Sequence, residues 1–402
     1  MQSTSLESWL SRLEKQHPRS IELGLDRVAA VYARLGFSKP ARQVITVAGT
    51  NGKGSTVAYT NALATAAGWR CGSYTSPHLV RFNERIVIDG MPVSDGELCA
   101  AFEEVEAALD GVSLTYFEFT TLAAFLLFSR ADLDLAILEV GLGGRLDAVN
   151  IIDPDVSVIT SIGIDHQDWL GDDREIIGFE KAGIIRAKTP LICGERELPE
   201  SVARHAAALT VPVQIIGVHY DRVNAEPAMP GPAQRDNLAT ALTALKALLD
   251  PPRVSESMIR QAAMVAIPGR FGKLGESPDV FVDVAHNVQA AGQLARCIEE
   301  RGCTGKRWFV LAMLTDKQVE QVAASLDHLA GEWCLAGLKG PRGLTVQQLH
   351  ERVSGHLLAP VNSFNTVTGA IEQVMSEARD TDQVIIFGSF LTVAEAIQYW
   401  NR

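Results

Sequence analysis

The stretch VAGTNGKGST, residues 47–56, decides the fold, because it has the pattern of a strand end, a glycine-rich turn and a helix start. Backbone N–H groups in such a turn, followed by a helix N-terminus, form a cradle for phosphate. The common phosphate loop places a hydroxyl directly after its lysine. Here a glycine separates Lys53 from Ser55, and Gly49 lies three residues before Gly52. The stretch predicts phosphate binding by a variant loop. The alternative is a tight turn with a solvated lysine.

The bulk composition is that of an ordinary globular protein with reduced thiols. The 402 residues are 47% hydrophobic and 21% charged, with a formal net charge of −12, and give room for two domains. Nucleic-acid binding would need a basic face, whereas an anionic small molecule needs only a local cationic pocket. The six cysteines form no C-x-x-C pair, so we expect neither disulfides nor a zinc ribbon. Without a signal peptide or a run of about 18 apolar residues, we expect a cytoplasmic protein.

Short apolar runs alternate with helical stretches along the chain, which predicts parallel βαβ units. The runs are apolar on both faces, as in strands covered by helices on both sides. AIPGRFGKLGESPD, 266–279, is rich in proline and glycine and separates two such α/β patterns. We therefore expect an α/β protein with an N-terminal domain at 1–268, a linker at 269–278 and a smaller C-terminal domain at 279–402. The runs are VITVAG (44–49), LAILEVG (135–141), VSVITSIG (156–163), PLICG (190–194), VPVQIIG (211–217), VFVDVA (280–285), WFVLAML (308–314), WCLAGL (333–338) and VIIFGSF (384–390).

Two helices and one loop are predicted in more detail. The helix after the glycine-rich turn is expected to begin at Ser55 or Thr56 and to end before Gly68. LTVQQLHERV, 344–353, is typical of an amphipathic helix. NAEPAMPGPAQRDN, 224–237, predicts an irregular loop inside the first domain.

Polar side chains follow three of the predicted strands. Ser76 follows CGSY, Glu139 ends LAIL, and His166 follows VITSIGI. Since ligands of open parallel sheets bind at the carboxyl ends of the strands, these groups are expected to lie at the edge that carries the turn. Serine and carboxylate oxygens suit Mg²⁺, and the imidazole is a less usual partner. The alternatives are a turn cap at Ser76, an ion pair of Glu139 with Arg145, and an ordinary loop histidine.

Together these residues resemble the folylpolyglutamate synthase/dihydrofolate synthase family, the folate branch of the Mur-type ATP-dependent amide ligases. The motifs occur in the expected order over nearly the whole chain. Two positions depart from the usual pattern, because Val284 and Val288 replace a glycine and a proline. The motifs are GTNGKGS (49–55), TSPHL (75–79), FNERI (82–86), EVGLGGRLDAVN (139–150), IDHQ (165–168), EKAGI (180–184), PGRF (268–271), DVAHN (283–287) and FGSFLTVAEA (387–396).

The resemblance implies an N-terminal phosphate-loop ATPase domain with a mostly parallel sheet, a smaller Rossmann-like C-terminal domain, and an active site between them. It assigns the metal to Ser76, Glu139 and His166. Lys181 matches a lysine that becomes carbamylated, which turns a cation into a carboxylate; its alternative is an ion pair with Glu180 or Asp173. The implied ATP-binding residues are Thr50, Asn51, Gly52, Lys53, Gly54, Ser55, Asn237, Arg270 and Asp283.

Three of these nucleotide residues also have ordinary structural interpretations. Asn237 could simply cap the start of a helix. Arg270 could be a surface charge in the linker, and Asp283 could cap the end of a strand. The resemblance further implies that His286 and Ser389 face the incoming glutamate or the transferred phosphate, with Lys53, Lys181 and His286 as the catalytic residues.

Three segments match the family's pterin site. Within IELGLDRV, 21–28, the alternative is an amphipathic helix that contains a glycine. Phe117 could stack on a pterin ring, and its alternative is core packing. Together the segments favour a bifunctional enzyme over one that only extends glutamate tails. The implied pterin or folate residues are Glu22, Leu23, Gly24, Thr115, Tyr116, Phe117, Glu118, Leu146, Asp147 and Ala148.

The resemblance implies ATP-dependent addition of L-glutamate to dihydropteroate and to the tail of reduced folates through an acyl phosphate. The cofactors would be ATP and Mg²⁺, with two ions at the site and K⁺ as a further candidate. The partners would be small molecules alone, and the protein a monomer. A Mur ligase of the cell wall would need an additional N-terminal domain, for which the turn at residue 49 leaves no room. A nucleotide-controlled switch would not need Lys181 or the second-domain residues.

Overall fold

The protein is described by a computed structural model that covers residues 5–17, 21–37 and 39–401. The chain divides into two compact units. The first contains the described residues up to Ile162, with Asp173–Glu226 and Arg235–Val265. The second contains Gly163–Asp172, Pro227–Gln234 and the described residues from Ala266 onward. The division 1–268, 269–278 and 279–402 stays a prediction. Among the described helices, none combines the length and apolar character that a membrane span requires.

The first unit is built on an eight-stranded sheet. Its order is β4-β3-β2-β5-β1-β6-β7-β8, with the β2–β3 and β3–β4 pairs antiparallel and the remaining pairs parallel. The central strand β1 is buried along its whole length, as expected for a strand covered on both faces. The strands are β1 Gln43–Ala48, β2 Cys71–Tyr74, β3 Ile86–Ile88, β4 Met91–Pro92, β5 Leu135–Glu139, β6 Val156–Ile159, β7 Leu191–Cys193 and β8 Val213–Ile215.

Helices supply the rest of the first unit. The core beneath them contains a cluster of aromatic rings, including Trp9, Phe102 and Phe119. α5 is buried around most of its circumference and starts at a capping box between Thr115 and Glu118. The helices are α1 Leu6–Gln16, α2 Asp26–Leu35, α3 Lys53–Ala66, α4 Asp95–Ala107, α5 Tyr116–Arg130, α6 Gln167–Leu170 (a member of the second unit), α7 Arg174–Ala182, α8 Glu200–Ala208, α9 Pro232–Lys246 and α10 Glu256–Ala263.

The second unit has a six-stranded sheet in the order β13-β12-β11-β14-β10-β9, parallel except for β9 at the edge. Phe309, Trp333 and Phe387 pack together in its core. The elements are β9 Gly272–Glu276, β10 Asp279–Asp283, α11 Val288–Arg301, β11 Arg307–Leu311, α12 Val319–Leu326, β12 Glu332–Ala336, α13 Val346–Val353, β13 Val361–Phe364, α14 Val367–Glu377, β14 Gln383–Phe387 and α15 Phe390–Trp400.

The predicted α/β class is confirmed, with a mostly parallel first sheet and a smaller, Rossmann-like second unit. Each of the nine apolar runs contains a strand, and 344–353 contains α13. Two predictions need correction. Residues 272–276, which the sequence placed in the linker, form β9. This strand was missed because it lies at the edge of its sheet, with a partner on one side only, and its sequence lacks a continuous apolar run. The loop at 224–237 ends early, because α9 begins at Pro232, and proline suits the first position of a helix.

Candidate functional site

The glycine-rich turn lies at the carboxyl edge of the first sheet. It leaves β1 between β5 and β6, where Val47 is in register with Glu139 on one side and Val158 on the other. Consequently the backbone of the turn, the carboxylate of Glu139 and the residues after β6 are brought to the same edge of the sheet. Glu139 was predicted to lie beside the turn, and the parallel register of β1 and β5 places it there.

Hydroxyl groups from the chain after β6 hold the turn in place. Thr50 N donates to Ser161 O at 2.7 Å, and Asn51 N donates to Ser161 Oγ at 3.1 Å. Asn51 O accepts from Thr160 Oγ1 at 2.7 Å and from Ser161 Oγ at 3.0 Å. Gly49 has φ +153°, and a Cβ there would lie 1.9 Å from Thr160 Oγ1. The turn is thus fixed before any ligand arrives, which lowers the entropic cost of binding.

Two lysines point to the same backbone oxygen of the turn. Lys53 Nζ donates to Gly49 O at 3.2 Å and to Thr50 O at 3.3 Å. Lys181, on α7, is 3% exposed, and its Nζ donates to Gly49 O at 3.0 Å. Glu180 and Asp173, the two acids considered as alternative partners of Lys181, also have other contacts. Glu180 pairs with Arg145 at 2.8 Å, and Asp173 caps α7. Two cationic groups therefore converge on the turn from different parts of the chain.

The start of α3 is suited to an anion. The helix begins at Lys53, two residues earlier than expected, and Gly52 precedes it without a side-chain cap. Its first turn contains no acidic residue, so the N-terminal end of the dipole is open to negative charge. Within the described part of the chain, the buried Ser55 Oγ and Thr56 Oγ1 have no hydrogen-bond partner. Such oxygens fit a magnesium ion or a phosphate.

Asn237 lies against the turn rather than at a helix end. A Cβ on Gly52, whose φ is +84°, would lie 2.7 Å from Asn237 Oδ1. Because α9 starts at Pro232, Asn237 is within the helix, and its interpretation as a simple N-cap is wrong. Its amide is placed beside Gly52 of the glycine-rich turn, and its role in binding ATP stays a prediction.

Two of the three predicted metal ligands meet within the first unit. Ser76 N donates to Glu139 Oε2 at 3.1 Å, and Glu139 is 4% exposed. Arg145, the alternative partner of Glu139, donates to Glu180 through its Nε and one terminal nitrogen. His166 belongs to the second unit, where it has φ +53° and precedes α6. In the described residues no three His, Cys, Asp or Glu side chains form a metal cluster, and the predicted set includes a serine.

The three segments with pterin-site resemblance converge in the first unit. Arg27 NH1 donates to Glu22 Oε1 at 2.5 Å, and its NH2 donates to Glu22 O at 3.0 Å and to Glu118 Oε1 at 2.9 Å. Gly24 N donates to Leu146 O at 3.4 Å. Residues 21–24 are not helical, so the amphipathic-helix alternative is wrong for them, and α2 begins only at Asp26. Segments 22–24, 115–118 and 146–148, far apart in the sequence, thus form one surface.

The side chains of that surface include an aromatic ring and a buried acid. Phe117 is half-buried and lies 6.0 Å from Tyr74, while a Cβ on Gly141 would lie 2.6 Å from Phe117 Cζ. Asp147 accepts from Leu142 N at 2.8 Å and from Val149 N at 3.0 Å. Burial raises the pKa of Asp147 to about 7, against the lowering effect of these N–H groups. The site therefore contains a carboxyl that titrates near neutral pH.

The predicted residues of the second unit are held mainly by local backbone. Asp283 accepts from Phe271 N at 2.8 Å and from Ala285 N at 2.7 Å, so it is a strand-end cap in this structure, and its burial raises its pKa. Arg270 lies over the Phe390 ring at 5.6 Å. Ser389 caps α15 by accepting from Thr392 N at 3.1 Å. These contacts fix the backbone around each residue.

His286 belongs to a buried charged cluster that the sequence did not predict. Its Nδ1 lies 2.7 Å from Val284 O and its Nε2 lies 3.2 Å from Asp165 Oδ2. Asp165 also accepts from Lys317 Nζ at 2.5 Å and from Asn287 Nδ2 at 2.9 Å. Burial alone would raise the pKa of Asp165, but the His286 ring and the Lys317 ammonium bring it well below its ordinary value. His286 is therefore oriented through both ring nitrogens.

Sequence reasoning assigned no role to several residues that hold the predicted side chains within each unit. They are Arg27, Thr160 and Ser161 in the first unit, and Lys317, Asp165 and Asn287 (the last in the motif DVAHN) in the second. Thr160 and Ser161 lie in VSVITSIG, which was noted only for its strand, and Asp165 lies in IDHQ, in which only His166 was given a role. A search for hydroxyls and acids directly after each strand would have found them. Arg27 and Lys317 carry no such signal, because a lone cation on a helix or in a turn has the pattern of a solvated charge.

Comparison with known protein families gives two matches that follow the two units. Residues 47–193 match the Mur ligase middle domain, and residues 269–390 match the Mur ligase glutamate ligase domain. The first match includes the glycine-rich turn, Glu139 and Lys181, and the second includes Asp283, His286 and Ser389.

Individual relatives match over nearly the full length. Dihydrofolate synthase/folylpolyglutamate synthase of Escherichia coli is 44% identical over 98% of this chain and 96% of its own. The solved structure of E. coli FolC in complex with DHPP and ADP has a TM-score of 0.93 at 43% identity, covering 99% and 98% of the two chains. A bifunctional folylpolyglutamate synthase/dihydrofolate synthase with Mn, AMPPNP and L-glutamate bound has a TM-score of 0.91 at 42% identity, covering 100% and 99%.

Proposed function

The chain belongs to the dihydrofolate synthase/folylpolyglutamate synthase family, and from this membership we propose that its site joins L-glutamate to dihydropteroate and to the tail of reduced folates. Members of the family are ATP-dependent ligases, and this chain is one of them. The observation that carries the proposal lies in the first unit. There an anion-binding turn with two convergent lysines accompanies a separate surface assembled from segments 22–24, 115–118 and 146–148.

The reaction we propose has two steps. The pterin-linked carboxylate attacks the γ-phosphorus of ATP, and ADP leaves to give an acyl phosphate. The amine of glutamate then attacks the acyl carbon, loses a proton and displaces inorganic phosphate, which leaves the amide. Lys53 and the N–H groups at the start of α3 would bind the phosphates throughout, so their contribution is orientation and charge stabilisation.

The residues present fit a divalent cation. Ser76, Glu139 and His166 would hold it, with Ser55 Oγ as a further oxygen close to the phosphates. When bound, Mg²⁺ supplies charge neutralisation for the phosphates. We also propose a second ion and a K⁺ site, and Asn237, Arg270 and Asp283 for the base, phosphate and ribose of ATP. His286 and Ser389 would receive the incoming glutamate, and the working form would be a monomer.

Carbamylation of Lys181 is a separate part of the proposal. CO₂ adds to the neutral amine with loss of a proton, so the cation that now faces Gly49 O becomes an anionic carboxylate. Its support is the position of Lys181, which is buried and donates to a backbone oxygen of the glycine-rich turn. An anion there would suit a metal ion or a phosphate-bound cation better than an ammonium would.

The choice of acceptor is tested by turnover with dihydropteroate and tetrahydrofolate as separate acceptors. We expect release of ADP that depends on both glutamate and the acceptor, with each of the two acceptors active. Turnover with tetrahydrofolate alone would instead identify a monofunctional folylpolyglutamate synthase. Turnover with nucleotide-linked sugar peptides alone would identify a cell-wall ligase and overturn the proposal.

The carbamate is tested with Lys181→Ala. We expect ligation to fall by about a thousandfold or more, because a charged group beside the transferred phosphate is lost, and added CO₂ should not restore the variant. Lys246→Ala, at an exposed site in the last turn of α9, is the control and should keep full activity. Full activity of Lys181→Ala would remove the carbamate from the mechanism.

A further inference from the structure

The side chain of Arg27 joins two of the segments with pterin-site resemblance. Its NH1 donates to the carboxylate of Glu22, and its NH2 donates both to the carbonyl of Glu22 and to the carboxylate of Glu118. Glu22 and Glu118 are 96 positions apart in the sequence but share one guanidinium. We propose that Arg27 is a positioning residue that sets the shape of the acceptor site and thereby the affinity for dihydropteroate, an inference that rests on the proposed function.

Both ends of this connection are constrained. Glu118 is 3% exposed, and its second oxygen accepts from Thr115 N at 2.8 Å in the capping box of α5. Its position is therefore fixed by the helix that also carries Phe117. Arg27 in turn is fixed on the first turn of α2. The guanidinium transmits this fixed geometry to residues 22–24, which have no regular secondary structure of their own.

The contact with the Glu22 carbonyl matters more than the ion pair. The Glu22 side chain is 30% exposed, so its attraction to Arg27 is partly screened by solvent. The bond to Glu22 O, at 3.0 Å, fixes the peptide that leads to Leu23 and Gly24. Gly24 N then donates to Leu146 O, which continues the connection to the third segment. The planar fork of arginine makes these bonds together, and a lysine ammonium cannot reproduce that geometry.

Loss of Arg27 would also leave acids close to each other. Glu22 and Glu118 would face each other without the guanidinium between them, and Glu118 would become a buried carboxylate without its cation. His17 Nε2, 3.7 Å from Glu22 Oε2, is a further polar group on this side of the segment. Repulsion would move the exposed partner, which is Glu22, and residues 22–24 would move with it.

The test compares Michaelis constants for the two substrates in the full-length protein. Arg27→Met should raise the KM for dihydropteroate about tenfold, because charged hydrogen bonds are lost, while the KM for ATP changes less than about twofold. Arg27→Lys should lie between Arg27→Met and the wild type. Arg34→Met, on the same helix, is the control, since Arg34 contacts the carbonyls of Ala108 and Leu109 instead. It should leave both constants unchanged.

Three outcomes would overturn the inference: an unchanged KM for dihydropteroate in Arg27→Met, a parallel rise in the KM for ATP, or a double variant with Glu22→Gln whose effects simply multiply. If Arg27→Met does not fold, Arg27→Lys carries the test, and an unchanged KM for dihydropteroate in that variant overturns the inference. Absence of dihydropteroate-dependent turnover in the wild type is a different result, because it overturns the proposed function before any variant is compared.

Discussion

The glycine-rich turn, which we propose binds phosphate, and the surface that we propose binds the acceptor lie in the same unit but are built in opposite ways. The turn is a continuous stretch, 49–55, and its shape is fixed by backbone hydrogen bonds and by hydroxyls from the next strand. The acceptor surface combines segments 22–24, 115–118 and 146–148, and its connections pass through the side chain of Arg27 and one long backbone bond. A phosphate can be bound by backbone N–H groups that any local turn supplies, whereas a ring with several polar edges needs groups from several directions.

This difference predicts that substitutions in the two regions will weaken the binding of different substrates. Gly49 in the turn and Gly141 beside the acceptor surface are positions at which an added methyl group would collide with a side chain. The variants below use these glycines, and then a buried acid, to separate the binding of ATP from the binding of the acceptor.

Of the two glycine variants, Gly49→Ala is expected to have the larger effect. The new Cβ would lie 1.9 Å from Thr160 Oγ1, a hydroxyl that already donates to Ala48 O and Asn51 O, and the φ of +153° is unfavourable for alanine. We expect kcat/KM for ATP to fall about a hundredfold, the cost of misplacing binding groups by about 1 Å. Gly96→Ala, where a Cβ meets nothing within 4 Å, is the control. An unchanged kcat/KM for ATP would show that the turn adapts.

A smaller and different effect is expected from Gly141→Ala. The added Cβ would lie 2.6 Å from Phe117 Cζ, so the ring, which is part of the proposed acceptor surface, must shift. We expect the KM for dihydropteroate to rise about tenfold, in line with the cost of overpacking, while kcat/KM for ATP stays within about twofold. If the constants for ATP change instead, Phe117 is not part of the acceptor site. The same Gly96→Ala control applies.

An effect on stability rather than on substrate binding is expected through Asp147. Its pKa of about 7 in the folded protein exceeds the ordinary value of 3.8, so the folded state binds the proton more tightly than the unfolded state. Between these two values the free energy of unfolding must therefore fall as pH rises, by up to about 1.4 kcal/mol per pH unit from this group. We expect Asp147→Asn to remove this contribution.

Chemical denaturation of the wild type and Asp147→Asn at pH 4 to 8 would measure the difference in slope. Other titrating groups are shared by both proteins and cancel in that difference. Equal slopes would show that Asp147 titrates well below pH 7. A matching loss of the pH dependence of the KM for dihydropteroate would place the same carboxyl in the acceptor site.

Comparison of expectation and structure shows where sequence reasoning was strong. The nine apolar runs each coincide with a strand, and eight of these strands lie inside their sheets, where strands covered on both faces need continuous apolar sequence; the exception is the edge strand β8. Glu139 was expected at the sheet edge beside the turn, and the register of β1 with β5 puts it there. Strand β9 and the start of α9 were missed because glycine, proline and charged residues are typical of loops. Here an edge strand and the start of a helix contain them.

The sequence by itself determined the α/β class, the phosphate turn and the family, because each depends on contiguous patterns of residue types. Only the tertiary structure decided that Lys181 reaches Gly49 O, that Asn237 lies against Gly52, and that Arg27 joins Glu22 to Glu118. The physical reason is that a side chain far away in the sequence has many possible partners. Packing of the whole unit selects one of them, and no local pattern records that choice.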